Sequence, residues 1–91
     1  ALINGTHLMA AAGGLAVREA MRLVDAAVVA SALSLEAFKG STVPFDARLH
    51  ELRRQPGQQH VAQQLRALLA GSPIVASHAD CGRVQDPYTL R

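Results

Sequence analysis

The stretch Ala26 to Leu35, AAVVASALSL, sits inside a run from Thr6 to Lys39 that contains no proline. Alanine, leucine, methionine and glutamate predominate in that run, and all four are strong helix formers. The spacing predicts one long helix over 6–39, or two nearly collinear ones. Within AAVVASALSL every side is apolar or small, which in a water-soluble protein means burial all round. It is bounded by Asp25 and Glu36, so its apolar length falls well short of the roughly 20 residues that a bilayer requires. At about 1.5 Å per residue the predicted helix is about 50 Å long. A compact domain of 91 residues has a radius of gyration near ~12 Å and a diameter of about 30 Å. The chain is too small to wrap its own central helix. The expectation is a core helix of a larger bundle, whose other helices come from sequence outside these residues or from other subunits.

Both ends of that helix carry stop signals. Thr6 is placed to cap the N-terminus after an Asn4-Gly5 turn, and Lys39-Gly40 offers a cation for the last turn followed by a residue suited to a left-handed C-cap. Gly13 and Gly14 are the weak point, where a kink, a break or close backbone packing is expected. Further along, Ser41 to Pro44 read as a loop and Asp46 as the cap of a short helix, Ala47 to Arg54. Gln55-Pro56-Gly57 then reads as a break. Val61, Leu65, Leu68 and Leu69 form an apolar stripe on a helix from Gln58 to Ala70, closed by Gly71 and Pro73. From Ser72 to Arg91 no period survives, and Pro73, Gly82 and Pro87 punctuate an extended segment. The expected fold class is all-α, with residues 1–5 as a turn, 6–39 as the core helix, 46–70 as two shorter helices and 72–91 as a loop.

Composition narrows the function classes. Hydrophobic residues make up 49% of the chain and charged residues 18%, compatible with one small folded unit and not with disorder. The net charge of +2 comes from scattered arginines and the single Lys39, without the basic block that tracks a phosphate backbone. No nucleic-acid partner and no membrane are expected. Cys81 is the sole cysteine and no signal peptide opens the chain, so a reducing cytoplasm is the default reading. The start at Ala1, without methionine and already inside the turn motif ALINGT, reads as a piece of a longer protein.

The candidate chemistry is polar and lies at the two ends. His78 and Cys81 are three apart, but no second pair follows at zinc-site spacing, so no metal is expected. His50 and His60 sit among charged and amide residues and read as solvated. His7 follows the turn and could face whatever the turn faces. Asn4 and Gly5 alone make an ordinary turn. In the terminal VQDPYTLR, an arginine such as Arg91 can hold a carboxylate through a bidentate pair. Tyr88 can transfer a proton, and Gln85 can both donate and accept. Together they describe a site that could grip an amino acid's carboxylate beside a proton-transfer group.

ALINGT at Ala1 to Thr6, ALSLEAFKGS at Ala32 to Ser41, PFDARLHELRRQPGQ at Pro44 to Gln58, LRALLAGS at Leu65 to Ser72 and VQDPYTLR at the end carry a further signal. In order and spacing they resemble the aromatic amino acid ammonia-lyase family over essentially the whole chain. QDPY rather than QDRY, with no long insertion between Ser72 and Val84, is similar to the histidine branch; Thr89 where serine is commoner is a small departure. The resemblance implies a fragment of a fumarase/aspartase-like, mostly helical bundle in a homotetramer whose active sites draw on more than one subunit. It implies non-oxidative elimination of ammonia from an amino acid, with urocanate the product in the histidine branch. It also implies a methylidene-imidazolone electrophile built from an Ala-Ser-Gly triplet. No such triplet occurs in these residues, and in the family it precedes the NGT motif.

By resemblance, Asn4 sits against the electrophilic group and orients substrate, Gly5 lets the backbone approach it, and Gln85 hydrogen-bonds near it. Tyr88 resembles the tyrosine of proton transfer or of holding that group, and Arg91 the arginine that pairs with the substrate carboxylate. The expected activity is elimination from L-histidine by the whole protein, the isolated chain being inactive. The alternatives are a phenylalanine or tyrosine lyase, a catalytically inactive helical homologue, or an independent helical binding module.

Overall fold

The computed structural model describes residues 3–90, and these are helical with no strand among them. The first and dominant element is α1, His7–Ala37, an unbroken helix of 31 residues. Gly13 and Gly14 pass through it without a break, and a methyl group added at either would meet nothing within 4 Å. A 3₁₀ turn, Val43–Phe45, leads into α2, Ala47–Arg53, followed by α3, Pro56–Leu69, and the single-turn α4, Pro73–Ala76. A second 3₁₀ turn, Tyr88–Leu90, closes the described chain.

Several local readings shift when seen in three dimensions. Thr6 occupies the N-cap position of α1, but its side chain makes no capping hydrogen bond. Its carbonyl accepts from the Ala10 amide at 2.8 Å, so the backbone alone starts the helix. At the other end the left-handed residue is Lys39, at φ 54°, not Gly40. The helix stops at Ala37, and two reverse hydrogen bonds lock it: Lys39 N–H to the Glu36 carbonyl at 2.9 Å and Gly40 N–H to the Leu35 carbonyl at 2.8 Å. This is the doubled bonding of a Schellman end, which satisfies helix carbonyls that would otherwise be orphaned. Gly40 is glycine for a different reason. A Cβ there would lie 3.1 Å from Leu35 Cγ and Cδ1 and 3.4 Å from an Asp86 carboxylate oxygen.

α2 does break off before Gln55-Pro56-Gly57, but the break is shorter than expected: Gln55 is the N-cap of α3, and Pro56 and Gly57 already lie in its first turn, where a missing N–H costs nothing. Arg54, left-handed at φ 53°, and the extended Gln55 separate the two helices. Asp46 caps α2 as expected, accepting from the Arg48 amide at 2.9 Å and from its guanidinium at 2.7 Å and 3.0 Å. The supposed extended segment begins with a helical turn, because the Ser72 hydroxyl accepts from the Val75 amide and caps α4. His50 corrects another expectation. It is buried, not solvated, with Nε2–H donating to the Pro44 carbonyl at 2.9 Å and Nδ1 lacking a hydrogen-bond partner among the described residues. His60 is exposed.

The core is small and one-sided. Val28, Ala32 and Leu35 of α1 pack against Leu65 and Leu69 of α3, flanked by Phe45, Val61, Val75 and Leu90. Polar ties reinforce the joint: Arg66 donates to the Phe45 carbonyl and the Ser72 hydroxyl to the Glu36 carboxylate. The same stripe of α1 continues toward the N-terminus as Val17, Met21 and Val24, spaced by four and three residues, yet these are 62%, 66% and 54% exposed. Every described residue from Thr6 to Ala27 is exposed. The molecule is therefore elongated, 66 × 28 × 22 Å with a radius of gyration of 18.5 Å, against ~12 Å for a compact domain of this length.

Two expectations follow. Isolated residues 1–91 should self-associate or fail to melt cooperatively, because the uncovered α1 surface is too large for a stable monomer; sedimentation velocity with a thermal melt reads this, and a cooperative monomeric transition would contradict it. The Asp46 carboxyl is held down from 3.8 to about 2, first by the Arg48 side-chain hydrogen bond and then by the Arg48 amide. A depressed carboxyl stabilises the fold above its unfolded value and ceases to do so as the pH falls through its folded one. In the full-length protein the melting-temperature difference between wild type and Asp46→Ala should hold at neutral pH and shrink as the pH drops from about 4 towards about 2.

Candidate active site

The polar motifs lie at opposite ends of α1. Asn4 is exposed in the turn that precedes the helix, Gly5 is half-buried, and His7 is the first helical residue, also exposed. Beyond the far end of the helix, the segment after α4 folds back over residues 39–43. A cleft of about 310 Å³ forms there between Lys39–Val43 and the returning strand of chain, lined also by His78, Cys81, Arg83 and Gln85. Gln85 and Tyr88 are both exposed, and Tyr88 opens the final 3₁₀ turn, which is closed by a Leu90 N–H to Pro87 carbonyl bond at 3.0 Å. Arg91 lies outside the described residues.

Distance decides what one chain can do. A 31-residue helix spans about 46 Å, so Asn4 and the Gln85–Tyr88 pair stand about that far apart in one chain. Reacting groups must lie within a few ångströms of the same substrate. The chain therefore brings Gln85 and Tyr88 together and leaves Asn4 remote from both.

Within the Gln85–Tyr88 segment the residue that turns inward is Asp86, which its place in a polar motif does not single out. Asp86 is buried, 6% exposed, while Val84 and Tyr88 on either side are 97% and 85% exposed. One oxygen of its carboxylate accepts the Ser41 N–H, and the other lies 3.7 Å from the Arg83 guanidinium. Arg83 also reaches the Phe38 carbonyl at 3.4 Å. The signal available in the sequence was the pairing of a glycine after the helix with an aspartate inside an otherwise polar, solvent-facing motif. Their proximity is a tertiary fact across 45 residues.

The remaining candidates are less organised. His78 is half-buried with its Nδ1 hydrogen-bonded to the Ser77 hydroxyl at 2.9 Å, and Cys81 is exposed. Among the described residues no group of three His, Cys, Asp or Glu side chains could hold a metal ion. No described helix is long and apolar enough to cross a membrane. In chemical terms the arrangement offers an amide and a phenol lining one cleft at the loop, and a second amide at the far end of the helix. These are groups that orient and exchange protons with a polar substrate, not groups that attack it.

Comparison with known proteins agrees with these motifs. The profile of the aromatic amino acid lyase family matches residues 1–91. A histidine ammonia-lyase of Sorangium cellulosum is 58% identical over 91 residues, covering 100% of this chain and 18% of its own length. Those of Paracidovorax citrulli and Myxococcus xanthus are 53% and 48% identical, again over 100% of this chain and 18% of theirs. The chain thus spans about a fifth of the length of the curated relatives it matches. No solved structure matches it. With its whole length inside the family profile and its turn and loop motifs in order, the chain belongs to the aromatic amino acid lyase family.

Proposed function

We propose that the chain is part of a histidine ammonia-lyase, which eliminates ammonia from L-histidine to give urocanate in the cytoplasm. The observation that carries this reading is the match of the whole chain to histidine ammonia-lyases, with Asn4 left exposed on the turn and Gln85 and Tyr88 on the loop. In such an elimination the Cα–N bond breaks, a weakly acidic proton leaves Cβ, and a double bond conjugated to the carboxylate forms. The site must hold the carboxylate, activate the amino group and accept the proton in one geometry.

This chain supplies part of that requirement. The guanidinium of Arg91 is suited to a bidentate hold on the substrate carboxylate. The Tyr88 hydroxyl is suited to holding or moving a proton, and the amides of Asn4 and Gln85 to orienting a neutral polar group. The methylidene-imidazolone group of the family supplies an electrophile when bound. Uncharged amide donors such as Asn4 and Gln85, with Gly5 leaving room for the backbone, fit its neutral ring, and the Ala-Ser-Gly triplet that forms it would lie in sequence outside these residues. The spread of Asn4 from Tyr88 along α1, and the uncovered apolar surface of that helix, support an oligomer in which sites are shared between subunits. A homotetramer is the form we propose.

The test is production of the ultraviolet-absorbing conjugated acid by the full-length protein from L-histidine, with L-phenylalanine and L-tyrosine beside it. Turnover of histidine is expected; turnover of another amino acid would move the substrate, and none would point to an inactive homologue. Tyr88→Phe should lower kcat by about 10²–10⁴, and Arg91→Ala should cost about a hundredfold in kcat/KM, chiefly through KM. Co-expressed Asn4→Ala and Tyr88→Phe chains should show activity well above either variant alone, since mixed oligomers restore some intact sites. Activity no higher than the better variant would place both residues of a site in one subunit.

A further inference from the structure

Asp86 stands out among the groups that the proposed chemistry does not use. Among the described residues the buried polar side chains are His50 and Asp86, and only Asp86 lies within the loop that bears candidate site residues. It is flanked by Gln85 and Pro87, both exposed, and lies two residues from Tyr88. The contacts of the loop with the helical body include this carboxylate on the Ser41 N–H, Arg83 reaching the Phe38 carbonyl at 3.4 Å, and Leu90 half-buried beside the core.

The location is an unusual one for an anion. Asp86 meets the chain just past the C-terminal end of α1, where the helix macrodipole disfavours negative charge. What holds it there is specific: the Ser41 N–H, the Arg83 guanidinium and a gap that exists because residue 40 has no side chain. A carboxylate kept against the local field, in a slot cleared for it, fixes position more than it favours the helix.

We infer that Asp86 is a positioning residue, whose carboxylate pins the loop bearing Gln85 and Tyr88 to the Gly40–Ser41 corner at the end of α1. It acts on the reaction only through those neighbours. This rests on the reading above that Gln85 and Tyr88 face the substrate, so the test carries one readout that needs no activity.

In the full-length protein, Asp86→Ala, Asp86→Asn and Gly40→Ala are compared with wild type by steady-state kinetics on L-histidine, by melting temperature and by amide hydrogen exchange. Asp86→Ala should lower kcat about a hundredfold, the scale of loss for a misplacement of about 1 Å, while KM changes by less than about threefold. Exchange should quicken at residues 82–90 and not along α1 or α3. Asp86→Asn keeps an acceptor for the Ser41 N–H and should regain at least about tenfold of the lost kcat. Gly40→Ala, crowding Leu35 and Asp86, should reproduce the loop effect in milder form. Wild-type kcat in Asp86→Ala overturns the inference, as does a loss matched by faster exchange throughout the protein and a lowered melting temperature, which would mark Asp86 as merely structural. If wild type proves inactive on histidine, phenylalanine and tyrosine, the lyase reading fails separately. The exchange pattern then decides alone: faster exchange confined to 82–90 upholds the anchor and unchanged exchange overturns it.

Discussion

Everything in this chain is arranged around a helix longer than the rest of the chain can cover. α3, with Phe45 and Leu90 beside it, shields only the last third of α1, through Val28, Ala32 and Leu35. The stripe that those residues occupy runs on through Val24, Met21 and Val17 into solvent. Apolar surface on that scale demands a covering. Helices from the remainder of the protein or from further copies are the covering that the proposed function calls for, and the curated relatives that the chain matches are more than five times its length.

The same constraint organises the site. Because α1 is rigid and about 46 Å long, it acts as a spacer that holds the Asn4 turn and the Gln85–Tyr88 loop apart at fixed distance. In an antiparallel pair of copies such a spacer would present the turn of one chain near the loop of the other without flexible tethers. Precision at each end then depends on local anchoring. At the loop end the anchoring is visible: a Schellman stop at Lys39 and Gly40, an emptied side-chain position, and the Asp86 carboxylate seated on Ser41.

How much of this was legible in the sequence depended on the range of the interaction. The long helix, the Asp46 cap and Val61, Leu65 and Leu69 of the α3 stripe follow from propensity and period, and these stand. Leu68 of the same stripe is 50% exposed, and of the stretch Ala26 to Leu35, expected to be buried all round, only Val28, Ala32 and Leu35 are buried in this chain. The readings that moved were set by neighbours far along the chain or by the choice between near-equal local states. Gln55-Pro56-Gly57 looks like a break, yet a proline is equally at home in a first helical turn. Lys39 takes the left-handed position despite its side chain because Gly40 is needed for close approach to Leu35 and Asp86. His50 looks solvated among Glu51, Arg53 and Arg54, but the Pro44 carbonyl folds onto its ring. At the site, Gln85 and Tyr88 were found by resemblance and Asp86 was not, since nothing in one sequence says which member of a polar motif turns inward.

The central claim is that α1 is a core helix of the whole protein along its entire length. The most direct measurement is the rate at which a thiol placed at Val24 reacts with a small alkylating reagent in the native full-length protein, using Val24→Cys with Cys81→Ser. Position 24 is 54% exposed in this chain by itself. The account predicts labelling at least about a thousandfold slower in the native protein than in denaturant, as for a site that opens only by local unfolding. Labelling within about tenfold of the denatured rate would leave α1 bare in the assembled protein and contradict the account.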